Sequence, residues 1–142
     1  MTIFLTIISG VLIFVIGQVI QKFIIEPIYQ QKQVIGNIAD SLIFYANIYS
    51  NPIKSKDKRY ENASKKLREL STQLTSKTYL IPFYNSLSKL KIVKNKNVIK
   101  EVHKKLLLLS NRLYTIDGIP SPGLNNADEA DKIALLLNII IK

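Results

Sequence analysis

The sequence predicts an all-α protein: a single amino-terminal transmembrane helix followed by a small cytoplasmic helical bundle of four or five helices. Three observations carry that expectation. Residues 3 to 25 are almost wholly apolar, apolar residues then recur at alternating steps of three and four, and no segment alternates with a period of two. At 142 residues the chain has material for one compact domain once a span is set aside.

From Ile3 to Gly17 nothing is more polar than Thr6 and Ser9, but this stretch is shorter than the roughly 20 residues that cross a bilayer. Phe23, Ile24 and Ile25 resume the run beyond Gln18, Gln21 and Lys22, which makes it long enough to span with some tilt. Gln18, Gln21 and Lys22 share one face at one end, where lysine snorkels and glutamine meets headgroups. A cleaved signal fits poorly, because Met1 to Phe4 carries no basic residue and no small-x-small site follows the apolar run. An in-plane anchor needs a polar face that residues 3 to 17 lack.

All twenty Lys and Arg lie at or beyond the end of the span, so the positive-inside rule places the amino terminus outside and the rest in the cytoplasm. Within the span Thr6, Gly10, Gly17 and Gln21 fall on one stripe. Small residues let backbones approach and glutamine bonds across, which makes this stripe the candidate for self-association.

Pro27 cannot donate a backbone hydrogen bond and disfavours helix at Glu26, so Glu26-Pro27 is expected to kink the chain or to open a new helix at its first turn. Ile28, Ile35, Ile38, Leu42, Tyr45 and Tyr49 then mark one helical face, with Gln31 at its one polar position and Asn51-Pro52 at its end. Val34, Ile43, Phe44 and Ile48 are expected to widen that face. Asp57 or Lys58 begins a second amphipathic run through Tyr60, Ala63, Leu67, Leu70 and Leu74, which stops near Tyr79 to Pro82. A short element follows, with Phe83, Leu87 and Leu90 on one face. Asn95 or Asn97 then caps a helix carrying Ile99, Val102, Leu106, Leu109 and Leu113.

The stretch DGIPSPG, residues 117 to 123, reads as an extended loop. After it Asn125 or Asn126 is expected to cap a last helix with Asp128, Glu129 and Asp131 in its first turn. The apolar run from Ile133 to Ile141, too short to cross a bilayer, is expected to bury in the bundle, the alternative being that it dips into the membrane surface. Three parts result: an anchor and junction over 1–26, a bundle over 27–116, and a loop with a packing helix over 117–142.

The chemistry-bearing residues are sparse. There is no cysteine, and the single histidine, His103, stands among Lys100, Lys104 and Lys105, which suits a bundle rim better than a metal site. Asp57 and Glu61 are surrounded by Lys58, Arg59 and Lys65, an arrangement for exposed ion pairs. Glycine-rich phosphate loops are absent, and Tyr79, Phe83 and Tyr84 read as core rather than as a stacking platform. The sequence therefore predicts no enzyme, no catalytic residue, no metal and no cofactor.

Residues 53 to 114 hold sixteen Lys or Arg against Asp57, Glu61, Glu69 and Glu101, a balance of +12 within a chain of net charge +10. Solvation is the plain explanation of such a block. A tethered bundle also meets anionic lipid, for which Lys22, Lys32, Lys54, Lys56, Lys58 and Arg59 are the candidates. Nucleic acid is disfavoured because the lysines mark no single groove or motif.

The stretches FIIEPIYQQKQVIGNIADSLIFYANIY, ASKKLRELSTQL, YLIPFY and LLLLSNRL, taken in order, resemble a family of small uncharacterised bacterial membrane proteins with one amino-terminal span and a helical cytoplasmic part. The resemblance covers roughly residues 17 to 114. It implies the bacterial inner membrane and this architecture, and it brings no catalytic signature. The expected role is that of a non-enzymatic anchored interaction or scaffold protein whose partner is lipid, a second copy, or a membrane protein. The competing expectation is a membrane-active effector, phage- or toxin-related, that works through oligomers of the span.

Overall fold

The computed structural model describes residues 1–53, 57–113 and 123–141. These residues form α1 (Thr2–Ile20), a π turn (Gln21–Ile25), α2 (Glu26–Phe44), α3 (Ala46–Ser50), α4 (Lys58–Tyr79), α5 (Tyr84–Lys89), α6 (Lys96–Asn111) and α7 (Gly123–Leu137), with no strand among them. Lys54, Lys56 and the loop residues 117 to 122 lie outside the described residues.

The first three elements run together as a single helix of 43 residues, Thr2–Phe44. Proline 27 stands in the first turn of α2, the second of the two sequence expectations, and the helix runs on through it without a break. The reason is the π turn just before it, where the Glu26 N–H donates to Gln21 O, five residues back. This wider turn lets the ring of Pro27 enter without striking the preceding carbonyls, and its missing N–H falls in the first turn of α2.

Beyond the π turn the chain builds an up-down-up-down bundle of α2, α4, α6 and α7. Its antiparallel sense is visible in the cross-helix bonds. Gln31 Nε2 meets Thr78 Oγ1 at 2.7 Å at one end of α2 and α4, and Tyr60 Oη donates to Asn51 O at 2.6 Å at the other. Between α4 and α6, Ser64 pairs with Ser110 and Ser71 with His103, stepping in opposite directions. Between α6 and α7, Arg112 O meets Asn126 and Lys105 meets Glu129 in the same way.

The end from which α1 emerges, the near end, therefore holds Gln31, Thr78, α5, the start of α6 and the end of α7. The far end holds α3, the start of α4, Leu113 and the start of α7. There the Ile53 N–H donates to Leu113 O at 3.3 Å.

The three-four stepping lands where the sequence puts it in the two central helices. Tyr60, Ala63, Leu67, Leu70 and Leu74 of α4 are buried, as are Ile99, Val102, Leu106 and Leu109 of α6 and Leu113 just beyond it. Val34, Ile38, Leu42, Ala130, Ile133 and Leu137 close the same core from α2 and α7. Asp57 caps α4 by accepting from the Arg59 N–H at 2.7 Å, and Asn95 caps α6 by accepting from the Asn97 N–H at 2.9 Å.

Other expectations fail for local reasons. Ile43 and Phe44 lie between Leu42 and Tyr45, which pack on the core, but on the face of α2 turned away from it, and stay exposed instead of widening the buried face. In the α5 region Phe83 and Leu90 point outward, and the buried set is Ile81, Tyr84 and Val93, packed with Ile28 and Leu87. Tyr79 is likewise exposed, so of the three aromatics assigned to the core only Tyr84 belongs there. The last helix starts at Gly123, which places Asp128, Glu129 and Asp131 beyond its first turn. Of its apolar tail, Ile133, Ala134 and Leu137 are buried while Leu135 and Ile140 face out.

A fully buried leucine in the middle of this core sets the scale of the packing. Leu70→Ala is expected to destabilise the bundle by about 3 kcal/mol, and Leu135→Ala by less than about 0.5 kcal/mol. Denaturant titration of the two detergent-solubilised variants followed by circular dichroism checks the contrast.

Candidate functional site

Every residue from Met1 to Phe23 is exposed, so the bundle leaves the apolar surface of α1 without any covering. Nineteen residues of α-helix reach roughly 28 Å, close to the thickness of a hydrocarbon layer. The hydroxyls inside this stretch are satisfied by their own helix. Thr6 Oγ1 donates to Thr2 O at 2.9 Å, and Ser9 Oγ donates to Leu5 O at 2.8 Å. Gly10 and Gly17 have nothing within 4 Å of where a Cβ would stand, and Gln21 is exposed at the start of the π turn. The stripe of Thr6, Gly10, Gly17 and Gln21 thus contacts no other part of the chain.

The basic residues divide by end. Lys22 and Lys32 are exposed at the near end. Lys58 and Arg59 lie at the start of α4, twenty residues before Thr78 and so roughly 30 Å farther along the bundle. Arg59 is already held by Asp57, with Nη2 to Oδ2 at 2.9 Å. That pairing keeps the Asp57 carboxyl below its ordinary value, the side-chain hydrogen bond from Arg59 being the main cause. A sequence grouping that joined these two residues with Lys22 and Lys32 combined opposite ends of the molecule. At ~8 Å of screening length in physiological salt they do not act together.

Two buried polar residues organise the ends. Gln31 fills the one polar position of the α2 face and is only 1% exposed. Its Nε2 donates to Thr78 Oγ1 at 2.7 Å and to Tyr84 Oη at 3.1 Å. Thr78 in turn donates to Leu74 O at 2.7 Å and Tyr84 to Lys94 O at 2.7 Å, so α2, α4 and the α5 region are joined by one chain of bonds. Burial pushes the Tyr84 phenol above its ordinary value.

At the far end Asn126, fully buried, caps other helices and not its own. Its Nδ2 donates to Tyr49 O and to Arg112 O, both at 3.1 Å, and so satisfies the carbonyl ends of α3 and α6. Its Oδ1 finds no hydrogen-bond partner among the described residues.

His103 sits at the rim between α4 and α6, with Nδ1 at 2.7 Å from Ser71 Oγ and 3.1 Å from Thr75 Oγ1. It lines a cleft of about 320 Å³ with Thr75, Thr78, Tyr79, Ile99 and the two lysines Lys96 and Lys100. Among the described residues no three His, Cys, Asp or Glu side chains converge. Glu129 bridges Lys105 at 2.9 Å and Lys132 at 2.8 Å, tying α7 to α6. These bonds, from Lys132 first and Lys105 second, hold the Glu129 carboxyl below its ordinary value.

The geometry defines an all-α protein in which one apolar helix, long enough to cross a membrane, continues without a break into a four-helix bundle. No family model, curated protein or solved structure matches the chain.

Gln31 was visible in the sequence only as a gap in a stripe, and Asn126 only as an asparagine near a helix start. Their roles depend on partners 14 to 77 residues away, on other helices.

Asn126→Ala leaves two carbonyls unsatisfied and is expected to cost about 2 kcal/mol. Asn126→Asp places an ionised acceptor against the same carbonyls and costs more at pH 7 than at pH 4, where protonation restores a donor. Denaturation midpoints of both variants at the two pH values test this.

Because the folded pKa of Glu129 lies below its unfolded one, its contribution is present above its ordinary value of 4.5 and is lost as pH falls through the lowered value. Glu129→Gln is expected to flatten the acid limb of the stability profile below that point and to lower stability at neutral pH.

Proposed function

We propose that the protein is a non-enzymatic, single-pass scaffold of a bacterial inner membrane, with its amino terminus outside and its helical bundle in the cytoplasm. One observation carries the reading. The apolar stretch is neither a buried core helix nor a tethered leader: it is the exposed first half of the same 43-residue helix whose second half is a wall of the bundle.

An exposed apolar helix of this length is costly in water and at rest in lipid. Lys22 and Lys32 follow it directly, in keeping with a cytoplasmic exit. The rigid connection supports a role in which position matters, holding a compact bundle at a fixed height above the bilayer for a partner, a second copy or the lipid itself. Membership of the small bacterial membrane family that the sequence resembles belongs to the same reading.

The chain contains no cysteine, so single cysteines report topology on a clean background. Thr2→Cys is expected to react with an impermeant maleimide applied to intact spheroplasts. Tyr29→Cys is expected to react only after the membrane is opened. Labelling of Tyr29→Cys from outside overturns the orientation, and recovery of the full-length protein in the soluble fraction overturns the anchor.

A further inference from the structure

We infer that the near end of the bundle is a lipid-binding face, on which the segment from Tyr79 to Ile92 rests against the anionic surface of the bilayer that holds α1. This deepens the membrane-anchored reading and rests on it. The first support is position. Ile81, Tyr84 and Val93 pack with Ile28, and Tyr84 Oη accepts from Gln31. Ile28 is three residues past the end of the apolar run, about 4.5 Å along the helix axis, and Gln31 about 9 Å. A headgroup layer is roughly 5 to 8 Å deep on each side of the hydrocarbon, so the helix places this segment within or directly on it.

The second support is what the segment exposes. Tyr79 (75%), Leu80 (55%), Phe83 (78%), Leu90 (69%) and Ile92 (43%) all face out, and Ile140 (84%) from the end of α7 is exposed at the same end. Six large apolar side chains at one end of a bundle whose core is otherwise well covered form an unpartnered surface of the kind that contacts another phase. Phe83 and Lys91, which bracket α5, hold left-handed backbone with φ of 50° and 59°. Side chains other than glycine adopt it at a cost, yet the chain keeps a phenylalanine there with its ring exposed.

Charge selects the occupant. From Leu70 to Lys100 there are six lysines and no Asp or Glu. Lys32, Lys91 and Lys94 line a cavity of about 610 Å³ between α2, the α5 region and the end of α7, with Gln31, Asn95 and Asn138 as further polar groups. Lys96 lies over the Tyr84 ring at 5.7 Å. The carboxylate nearest this level on the long helix, Glu26, is hydrogen-bonded to Gln30. Lysines interleaved with exposed aromatic and aliphatic side chains match an anionic lipid interface: the apolar groups enter the acyl boundary, and the cavity receives a headgroup phosphate.

The chain has no tryptophan, so single tryptophans report depth without interference. Full-length Phe14→Trp, Phe83→Trp, Leu90→Trp and Phe44→Trp are each reconstituted in vesicles of phosphatidylcholine, with or without phosphatidylglycerol, containing lipids brominated high on the acyl chain. All four positions are exposed, and at Phe44 the ring that meets Tyr45 edge-on is replaced by another aromatic.

The expected result is quenching of about twofold or more at Phe14→Trp in both compositions, and at Phe83→Trp and Leu90→Trp chiefly with phosphatidylglycerol, while Phe44→Trp at the far end stays unquenched. Lys32→Gln, Lys91→Gln and Lys94→Gln together are expected to abolish the difference between the compositions. If Phe14→Trp is quenched but Phe83→Trp and Leu90→Trp behave like Phe44→Trp, the lipid face is overturned and the anchor stands. An unquenched Phe14→Trp removes the anchor itself. A blue-shifted but unquenched Phe83→Trp assigns the face to a second copy or another protein and overturns lipid as its occupant. Equal quenching in both compositions overturns the role of the lysines.

Discussion

Proline 27 has no amide proton, and the rest of the architecture depends on how the helix passes it. A plain α-helix would meet the ring with a clash and a lost bond, at a cost of about 3 kcal/mol, and would bend or stop. Here the preceding turn is widened, with the Glu26 N–H reaching back to Gln21 O, and the helix runs on to Phe44. The consequence is mechanical. An apolar rod and a bundle wall are one object, so the orientation of the first half fixes the height and rotation of everything packed on the second.

Polar groups at the two ends of the bundle then fix its register. Apolar stripes at steps of three and four slide past one another by a turn at modest cost, because leucine against leucine is much the same one turn on. Gln31 removes that freedom at the near end. Its amide is satisfied only when Thr78 and Tyr84 stand opposite, and a shifted α4 would leave it buried and unpaired at about 1 to 3 kcal/mol. Asn126 does the same at the far end by serving the carbonyls of Tyr49 and Arg112 at once. Between them the core from Ile38 to Ile133 supplies the burial energy.

What the sequence disclosed follows from which of these forces are local. The helical class, the buried faces of α4 and α6, the start of α4 at Asp57 or Lys58 and the cap of α6 at Asn95 or Asn97 were legible because periodicity over four or more turns and a side chain two residues from its N–H are properties of a short window. The structure resolves the pairs to caps at Asp57 and Asn95. Over the two turns around Phe83 the period was too short to distinguish an inward face from an outward one, and Phe83 and Leu90 were placed on the wrong side. Asn126 looked like a cap, which it is, but for helices elsewhere in the chain. The basic residues were countable, but a count carries no axial coordinate. Only the antiparallel return of α4 separates Lys58 and Arg59 from Lys22 and Lys32.

That return also explains why the Tyr79–Ile92 segment and the end of α7, with their six exposed apolar side chains, share one end, apart from the exposed Ile43 and Phe44 at the other. In an up-down-up-down bundle entered by a helix from below, the connection from α4 to α6 must lie at the near end, and so must the end of α7. A connection facing water is ordinarily polar and rich in glycine, since its backbone must turn and its side chains stay wet. The one between Tyr79 and Lys96 contains no glycine. It turns through left-handed backbone at Phe83 and Lys91, and among its outward positions, with Asn85, Ser86, Asn95 and lysines, stand Tyr79, Leu80, Phe83, Leu90 and Ile92. These choices oppose local stability in water and agree with one another at an apolar boundary carrying negative charge. In the proposed topology the unbroken helix through Pro27 brings the segment to that boundary, so the constraint that sets the fold also sets what its near end meets.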